Sequence, residues 1–167
     1  MPYWRSYAHL IWATKNRQPF ILPSFEDRLY GQLIQKAADL GCYVHAINGM
    51  IEHTHMVLSI PPKHSPAYMV KTLKGSSSHF VNHIVQPEAF HFAWQRGYGY
   101  LTLGETQLDR AVDYVLRQKE HHQAKTVNRW LEYESALDEG PWDADSAAQG
   151  AVKEAGVAYG VGWDSPF

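Results

Sequence analysis

The spacing of apolar residues predicts a strand, a helix and a pair of strands in the first part of the chain. Residues 3–13 are rich in aromatic and aliphatic side chains, which is typical of a strand. After a polar loop, Ser24 is a suitable N-cap, and apolar positions then recur with helical spacing. Strands follow at 42–49 and 51–60, and the Asn48–Gly49 pair between them indicates a hairpin turn.

The second part of the chain repeats the alternation of helix and strand. Ser65 or Pro66 opens a second helix, whose outward faces are predicted to carry Lys71, Lys74 and Ser78. Its predicted buried stripe consists of Val70, Leu73, Ser77, Phe80, Val81 and Ile84. Residues 90–104 form a β-type segment, and Thr106 to Gln123 predicts a third helix. The resulting order is that of an α+β, ferredoxin-like βαββαβ fold, an antiparallel sheet with helices on one face plus a C-terminal helix.

Charge divides the chain into two segments. Residues 1–129 contain 14 Lys and Arg, 9 Asp and Glu, and all 10 histidines, whereas residues 130–167 contain one Lys and 8 Asp and Glu. We therefore expect a mildly basic domain over 1–129 and a loosely ordered acidic tail over 130–167. The single cysteine, the lack of a long apolar run and the N-terminal sequence favour a cytoplasmic protein without a membrane partner.

Two side-chain pairs are candidates for chemistry. His53 and His55 are two residues apart on a predicted strand, so both imidazoles point to one face and are suitably placed to share a metal ion; two unconnected histidines are the alternative. Tyr114 and Gln118 are one helical turn apart, and the Gln118 carbonyl oxygen is a possible third ligand for Mg²⁺ or Mn²⁺. A half-buried tyrosine beside an exposed glutamine is the alternative there.

Basic and aromatic residues give candidate contacts to nucleic acid. Phosphate contacts are predicted for Lys15, Arg17, Lys71, Lys74 and Arg96, although a solvated surface charge explains each one individually. Trp94, Tyr98 and Tyr100 are able to stack on unpaired bases, or to belong to the core. His121 and His122 are predicted to be solvated.

Two other classes of protein fit the sequence less well. A zinc hydrolase needs further ligands near the histidine pair, but Met56, Val57 and Leu58 follow it. The second class is a non-catalytic nucleic-acid-binding domain of the same fold, such as an RNA-recognition motif, whose aromatic strand signature this sequence lacks.

Four segments together resemble the HUH single-tyrosine transposases, the small enzymes of insertion sequences that move as single strands, and their REP-associated relatives. The segments are HTHMVLSIPP, MVKTLKGSSS, WQRGYGYLTLG and DYVLRQKEHH, which occur in the family's order within residues 5–125. Thr54 stands where relatives have a bulkier apolar residue, and Glu52 where they commonly have Asp.

The resemblance implies the chemistry of the site. His53 and His55 would be the paired ligands of Mg²⁺ or Mn²⁺, Gln118 the third ligand and Tyr114 the nucleophile. The reaction would cleave and rejoin single-stranded DNA that carries a hairpin, through a 5′-phosphotyrosine. A homodimer is implied, with a monomer as the alternative, and either a mobile-element transposase or a resident REP-associated nickase fits the sequence.

Overall fold

The computed structural model of the chain describes residues 3–128 and 132. The rest of the predicted acidic tail lies outside the described residues. Within the described part, no helix is both long and apolar enough to cross a membrane.

A four-stranded antiparallel sheet forms the centre of the fold, as the sequence predicts. Its strands are β1 (Tyr7–Ala13), β2 (Tyr43–Gly49), β3 (His53–Ser59) and β4 (Gly99–Leu103). They lie in the order β2-β3-β1-β4, so each helical connection passes over one intervening strand. This order, with the sequence of elements along the chain, is the ferredoxin-like βαββαβ plan.

Helices cover both faces of this sheet. They are α1 (Glu26–Asp39), α2 (Pro66–Phe80), α3 (Glu105–Leu116) and α4 (Gln118–Ala124); a single 3₁₀ turn spans Lys15–Arg17, and a π-helical turn at Val81–Val85 extends α2. The larger core lies between the sheet and helices α1 and α2. The smaller core lies on the opposite face, where α3 packs against the sheet.

The alternation of side chains along β3 assigns its residues to these two cores. Met56 and Leu58 are fully buried in the larger core, whereas Val57 packs with Ala111 and Val115 in the smaller one. Because residues two apart share a face, the histidines of β3 lie on the same side as Val57, towards α3.

The structure differs from the sequence prediction at one turn and at one helix cap. Asn48 and Gly49 remain in β2, and the connection to β3 comes after them, at residues 50–52. Glycine is needed at position 49 because a Cβ at this position would lie 2.1 Å from the carbonyl oxygen of His53. Ser24 does not cap α1, whose N-cap position is Phe25. The second helix opens where the sequence predicts, at Pro66, and Ser65 caps it, since its hydroxyl accepts a hydrogen bond from the Tyr68 amide at 3.2 Å.

The predicted third helix is broken at Arg117, whose φ of −96° and ψ of 19° depart from helical values. Residues on either side of the break face different surroundings. Leu116, the last residue of α3, is apolar and yet 58% exposed. Gln118, the first residue of α4, is fully buried.

Candidate metal centre and tyrosine site

His53 and His55 are fully buried on one face of β3, and each has its Nδ1 atom held by a neighbour. Nδ1 of His53 lies 2.9 Å from Oε1 of Glu52, and because a carboxylate only accepts, the imidazole donates. Nδ1 of His55 shares a hydrogen bond of 2.9 Å with Nε2 of His9, a fully buried residue of β1. Both rings are thereby fixed through Nδ1, which directs Nε2 towards α3 and α4.

Tyr114 on α3 and Gln118 on α4 meet at one carboxylate. The Tyr114 hydroxyl donates to Oε1 of Glu132 over 2.5 Å, and Nε2 of Gln118 donates to the same oxygen over 2.7 Å. The Asn128 amide donates to the Tyr114 hydroxyl oxygen over 2.9 Å. The two residues predicted from helical spacing therefore do lie together, despite the break between their helices.

The other oxygen of Glu132 joins this tyrosine to the histidines. Its Oε2 atom lies 3.4 Å from Nε2 of His55 and 3.6 Å from Nε2 of both His53 and His122. His122 is half-buried, with its ring centre 5.0 Å from that of His53, so the prediction that it is solvated is wrong. His121 stacks on the Tyr114 ring at 4.7 Å.

Burial and charge set the protonation of the tyrosine and the carboxylate. Burial and the hydrogen bond to Glu132 raise the pKa of Tyr114 above its usual value. Burial alone would raise the pKa of Glu132, but its contacts with His55, Tyr114 and Gln118 together hold it well below its usual range. Burial lowers the pKa of His55, although Glu132 opposes this effect. The described arrangement therefore pairs a neutral phenol with an ionised carboxylate.

Comparison with known proteins identifies the family. The family model described as "Transposase IS200 like" matches residues 2–118. The chain belongs to this family of transposases. It is 31% identical over 114 residues to the ISDra2 transposase TnpA of Deinococcus radiodurans, which covers 66% of this chain and 81% of that protein.

Solved structures agree with this family and its fold. A crystal structure of a candidate transposase from Deinococcus radiodurans has a TM-score of 0.55 at 29% identity, covering 70% of this chain and 93% of that one. A REP-associated tyrosine transposase bound to a REP hairpin has a TM-score of 0.54 over 86% of this chain and 90% of that one; at 14% identity this match shows the fold alone.

The donor atoms of this IS200-like transposase suit a cation. Within residues 3–128 and 132, eight buried side-chain atoms have no hydrogen-bond partner, and four of them lie at this site: Nε2 of His53, His55 and His122, and Oε1 of Gln118. Buried polar atoms are costly without a partner, and all four carry lone pairs that a metal ion accepts. The residues present therefore fit a divalent ion.

The predicted phosphate contacts divide into two groups in the transposase. Lys71 and Arg96 are exposed and line an open cleft of about 440 Å³ between α2 and the segment before β4, with Trp94 and Tyr98 in its wall. Lys15 and Arg17 are exposed in the 3₁₀ turn after β1.

Lys74 lines the same cleft, but it does not lie on an outward face of α2. The prediction that it faces outward is therefore wrong. Its side chain is buried, and its ammonium donates to the carbonyl of Gln95 and, over 2.9 and 3.0 Å, to those of Arg96 and Gly97. The long aliphatic part of a lysine can cross a buried stripe while its charge meets backbone carbonyls. Lys74 thus holds the loop that carries Arg96.

The backbone of Thr14, directly after β1, links the wall of the cleft to the segment that carries the histidines. Thr14 pairs with Trp94 in an isolated antiparallel bridge, and its amide donates to the Glu52 carbonyl over 2.9 Å. The wall of the cleft and the residue that holds His53 are therefore attached to the same end of β1.

Proposed function

We propose that this IS200-like transposase cleaves and rejoins single-stranded DNA through a 5′-phosphotyrosine link to Tyr114. The observation that carries the proposal is the meeting of the Tyr114 hydroxyl and three imidazole Nε2 atoms around the Glu132 carboxylate. A nucleophile and a set of metal donors at one point are what a metal-assisted phosphoryl transfer requires.

The reaction exchanges one phosphodiester for another. The Tyr114 oxygen forms a bond to phosphorus, the bond from phosphorus to the 3′ oxygen breaks, and that oxygen leaves as a 3′ hydroxyl. Reversal by a 3′ hydroxyl releases the tyrosine, so rejoining needs no external energy source. Oε1 of Glu132 is the acceptor already in contact with the phenol proton.

A bound divalent ion would be held by His53, His55 and Gln118 and would neutralise charge that develops on the phosphate. Glu52 and His9 keep the two imidazoles oriented, since each occupies the Nδ1 atom. Either Mg²⁺ or Mn²⁺ satisfies this proposed role.

We propose single-stranded DNA with a hairpin as the substrate. The REP-associated structural neighbour is bound to a REP hairpin, and this chain has a cleft that combines basic and aromatic side chains. Lys71 and Arg96 would contact phosphates there, and Trp94 and Tyr98 would stack on unpaired bases. Lys15 and Arg17 extend the basic surface towards Glu52, and Lys74 would act through the loop that it holds.

The proposed reaction can occur within one chain. The ring centres of Tyr114 and His55 are 6.3 Å apart in the same molecule, so a partner's tyrosine is not required. A homodimer that exchanges tyrosines remains a distinct hypothesis. Mixing inactive His53→Ala and Tyr114→Phe proteins would restore cleavage only if sites are shared between subunits.

Metal-dependent cleavage of a labelled hairpin oligonucleotide with a single-stranded flank tests the proposed function. Wild type with Mn²⁺ should release a fragment with a free 3′ hydroxyl, and His55→Ala should not, while both give the same circular dichroism spectrum. Cleavage by His55→Ala at the wild-type rate would refute the metal assignment. Retention of intact DNA by the wild type would instead indicate a binding module of the same fold.

A further inference from the structure

His122 and Glu132 surround the same point as the histidine pair, although neither belongs to the ligand set predicted from the sequence. Oε2 of Glu132 is nearly equidistant from three Nε2 atoms, at 3.4 Å from His55 and 3.6 Å from His53 and His122. These separations are long for hydrogen bonds. They resemble the edge of a coordination shell, because two ligands about 2.0–2.1 Å from one tetrahedral ion lie about 3.3–3.4 Å apart.

The donor atoms of His53, His122 and Glu132 form one compact group, since all of them lie within 4.8 Å of one another. His55 lies outside this compact group, although its Nε2 atom is 3.4 Å from the same Glu132 oxygen. Within the described residues, the Nε2 atoms of all three histidines are buried and without a hydrogen-bond partner. A single cation bound by this group would satisfy the Nε2 atoms of His53 and His122 and the Glu132 carboxylate, beside the Nε2 atom of His55.

We propose that His122 and Glu132 are ligands of the same divalent ion as His53 and His55. The inference rests on the proposed metal-dependent function and changes its ligand set from two imidazoles and an amide to three imidazoles and a carboxylate. Gln118 then supplies the weaker, neutral donor of the shell. Its Nε2 atom already donates to Oε1 of Glu132, which orients that carboxylate.

This ligand set also selects the class of ion. Mg²⁺ prefers carboxylate, carbonyl and water oxygens, whereas imidazole nitrogens suit zinc and other transition metals. Three imidazoles therefore favour Zn²⁺ over Mg²⁺ or Mn²⁺. We expect Zn²⁺ to bind the DNA-free protein more tightly than Mg²⁺ or Mn²⁺.

Zinc affinity of the full chain without DNA, measured by competition with a chromophoric chelator, tests the assignment. His122→Ala should weaken binding by at least about tenfold, because the loss of even a supporting residue around a metal typically costs that much. Glu132→Gln, which keeps the size of the side chain but removes its charge, should also weaken it. His121→Ala is the matched control, since His121 stacks on Tyr114 and its Nδ1 bonds to Thr126 instead.

A second measurement does not depend on a substitution. In wild type labelled with ¹⁵N-histidine, Zn²⁺ should shift the Nε2 resonances of His53, His55 and His122 together, and leave that of His121 in place. An unshifted His122 resonance, or wild-type zinc affinity in His122→Ala, would overturn the proposal. Because neither measurement uses DNA, zinc binding through His122 in a protein that cannot cleave would refute the proposed function and leave this inference standing.

Discussion

Lys74 and Lys71 allow a matched test of structure against DNA binding, because they lie one helical turn apart on α2 and line the same cleft. Lys74 is buried and donates to three consecutive carbonyls, whereas Lys71 is exposed. Replacing each by methionine removes the charge and keeps most of the length of the side chain. We expect the two variants to fail in different assays.

The loss in Lys74→Met follows from its hydrogen bonds. A bond to a charged group contributes about 1.5–3 kcal/mol, and the carbonyls of residues 95–97 would all lose their donor. Water can reach part of this half-buried loop, and methionine avoids the cost of burying a charge, so the net loss is smaller than the sum. We expect about 2–4 kcal/mol, which lowers the melting temperature by about 6–12 °C in a chain of this size.

Lys71→Met should change stability by no more than about 0.5 kcal/mol, since an exposed lysine has little to lose. It should instead weaken binding to single-stranded DNA. The slope of the logarithm of the binding constant against the logarithm of the salt concentration should become shallower by about 0.7, the value for one phosphate contact with a single strand. Thermal unfolding and fluorescence anisotropy over a range of salt concentrations measure the two effects. The reasoning is refuted if Lys74→Met melts with the wild type, or if Lys71→Met destabilises the protein as much as Lys74→Met does.

Three further outcomes follow from the site and its support. Gly49→Ala should lose about 1–3 kcal/mol in urea unfolding, because the new Cβ would collide with the backbone of His53; a stability equal to wild type would show that this close approach is unimportant. His9→Phe should weaken Zn²⁺ affinity by about 10–100-fold through loss of the hydrogen bond to His55, with unchanged affinity arguing against that support. Chelation by EDTA should stop DNA cleavage while the protein still binds the hairpin, and cleavage that survives chelation would exclude a required ion.

The sequence predicted the parts of the site that follow from regular periodicity. Side chains two apart on a strand must share a face, which brought His53 and His55 together. Side chains four apart on a helix are neighbours, which brought Tyr114 and Gln118 together even though the helix breaks between them.

The missed residues depend on contacts that periodicity does not encode. Glu132 is 18 residues from Tyr114 and comes after α4, and the acidic residues around it in the sequence indicated a tail. On one unbroken helix His121 would share the face of Tyr114 and His122 would lie about 80° away from it. The break at Arg117 removes that constraint, and His122 reaches the ring of His53.

The prediction that Lys74 faces outward was wrong for a different reason. It follows Val70 by four residues and precedes Ser77 by three, so its position belongs to the buried stripe of α2. A pattern that treats every lysine as outward cannot anticipate that three backbone carbonyls accept hydrogen bonds from the ammonium group of Lys74. Those carbonyls come from a loop 21–23 residues further along the chain.

The covalent link between Tyr114 and DNA tests the central claim most directly. Wild type is incubated with Mn²⁺ and an end-labelled hairpin oligonucleotide, separated by denaturing electrophoresis and mapped by mass spectrometry of its peptides. We predict an adduct at the combined mass of protein and cleaved strand, attached to Tyr114 and absent from Tyr114→Phe, which keeps the ring but lacks the nucleophile. An adduct that persists in Tyr114→Phe, or cleavage by wild type without any adduct, would contradict the account.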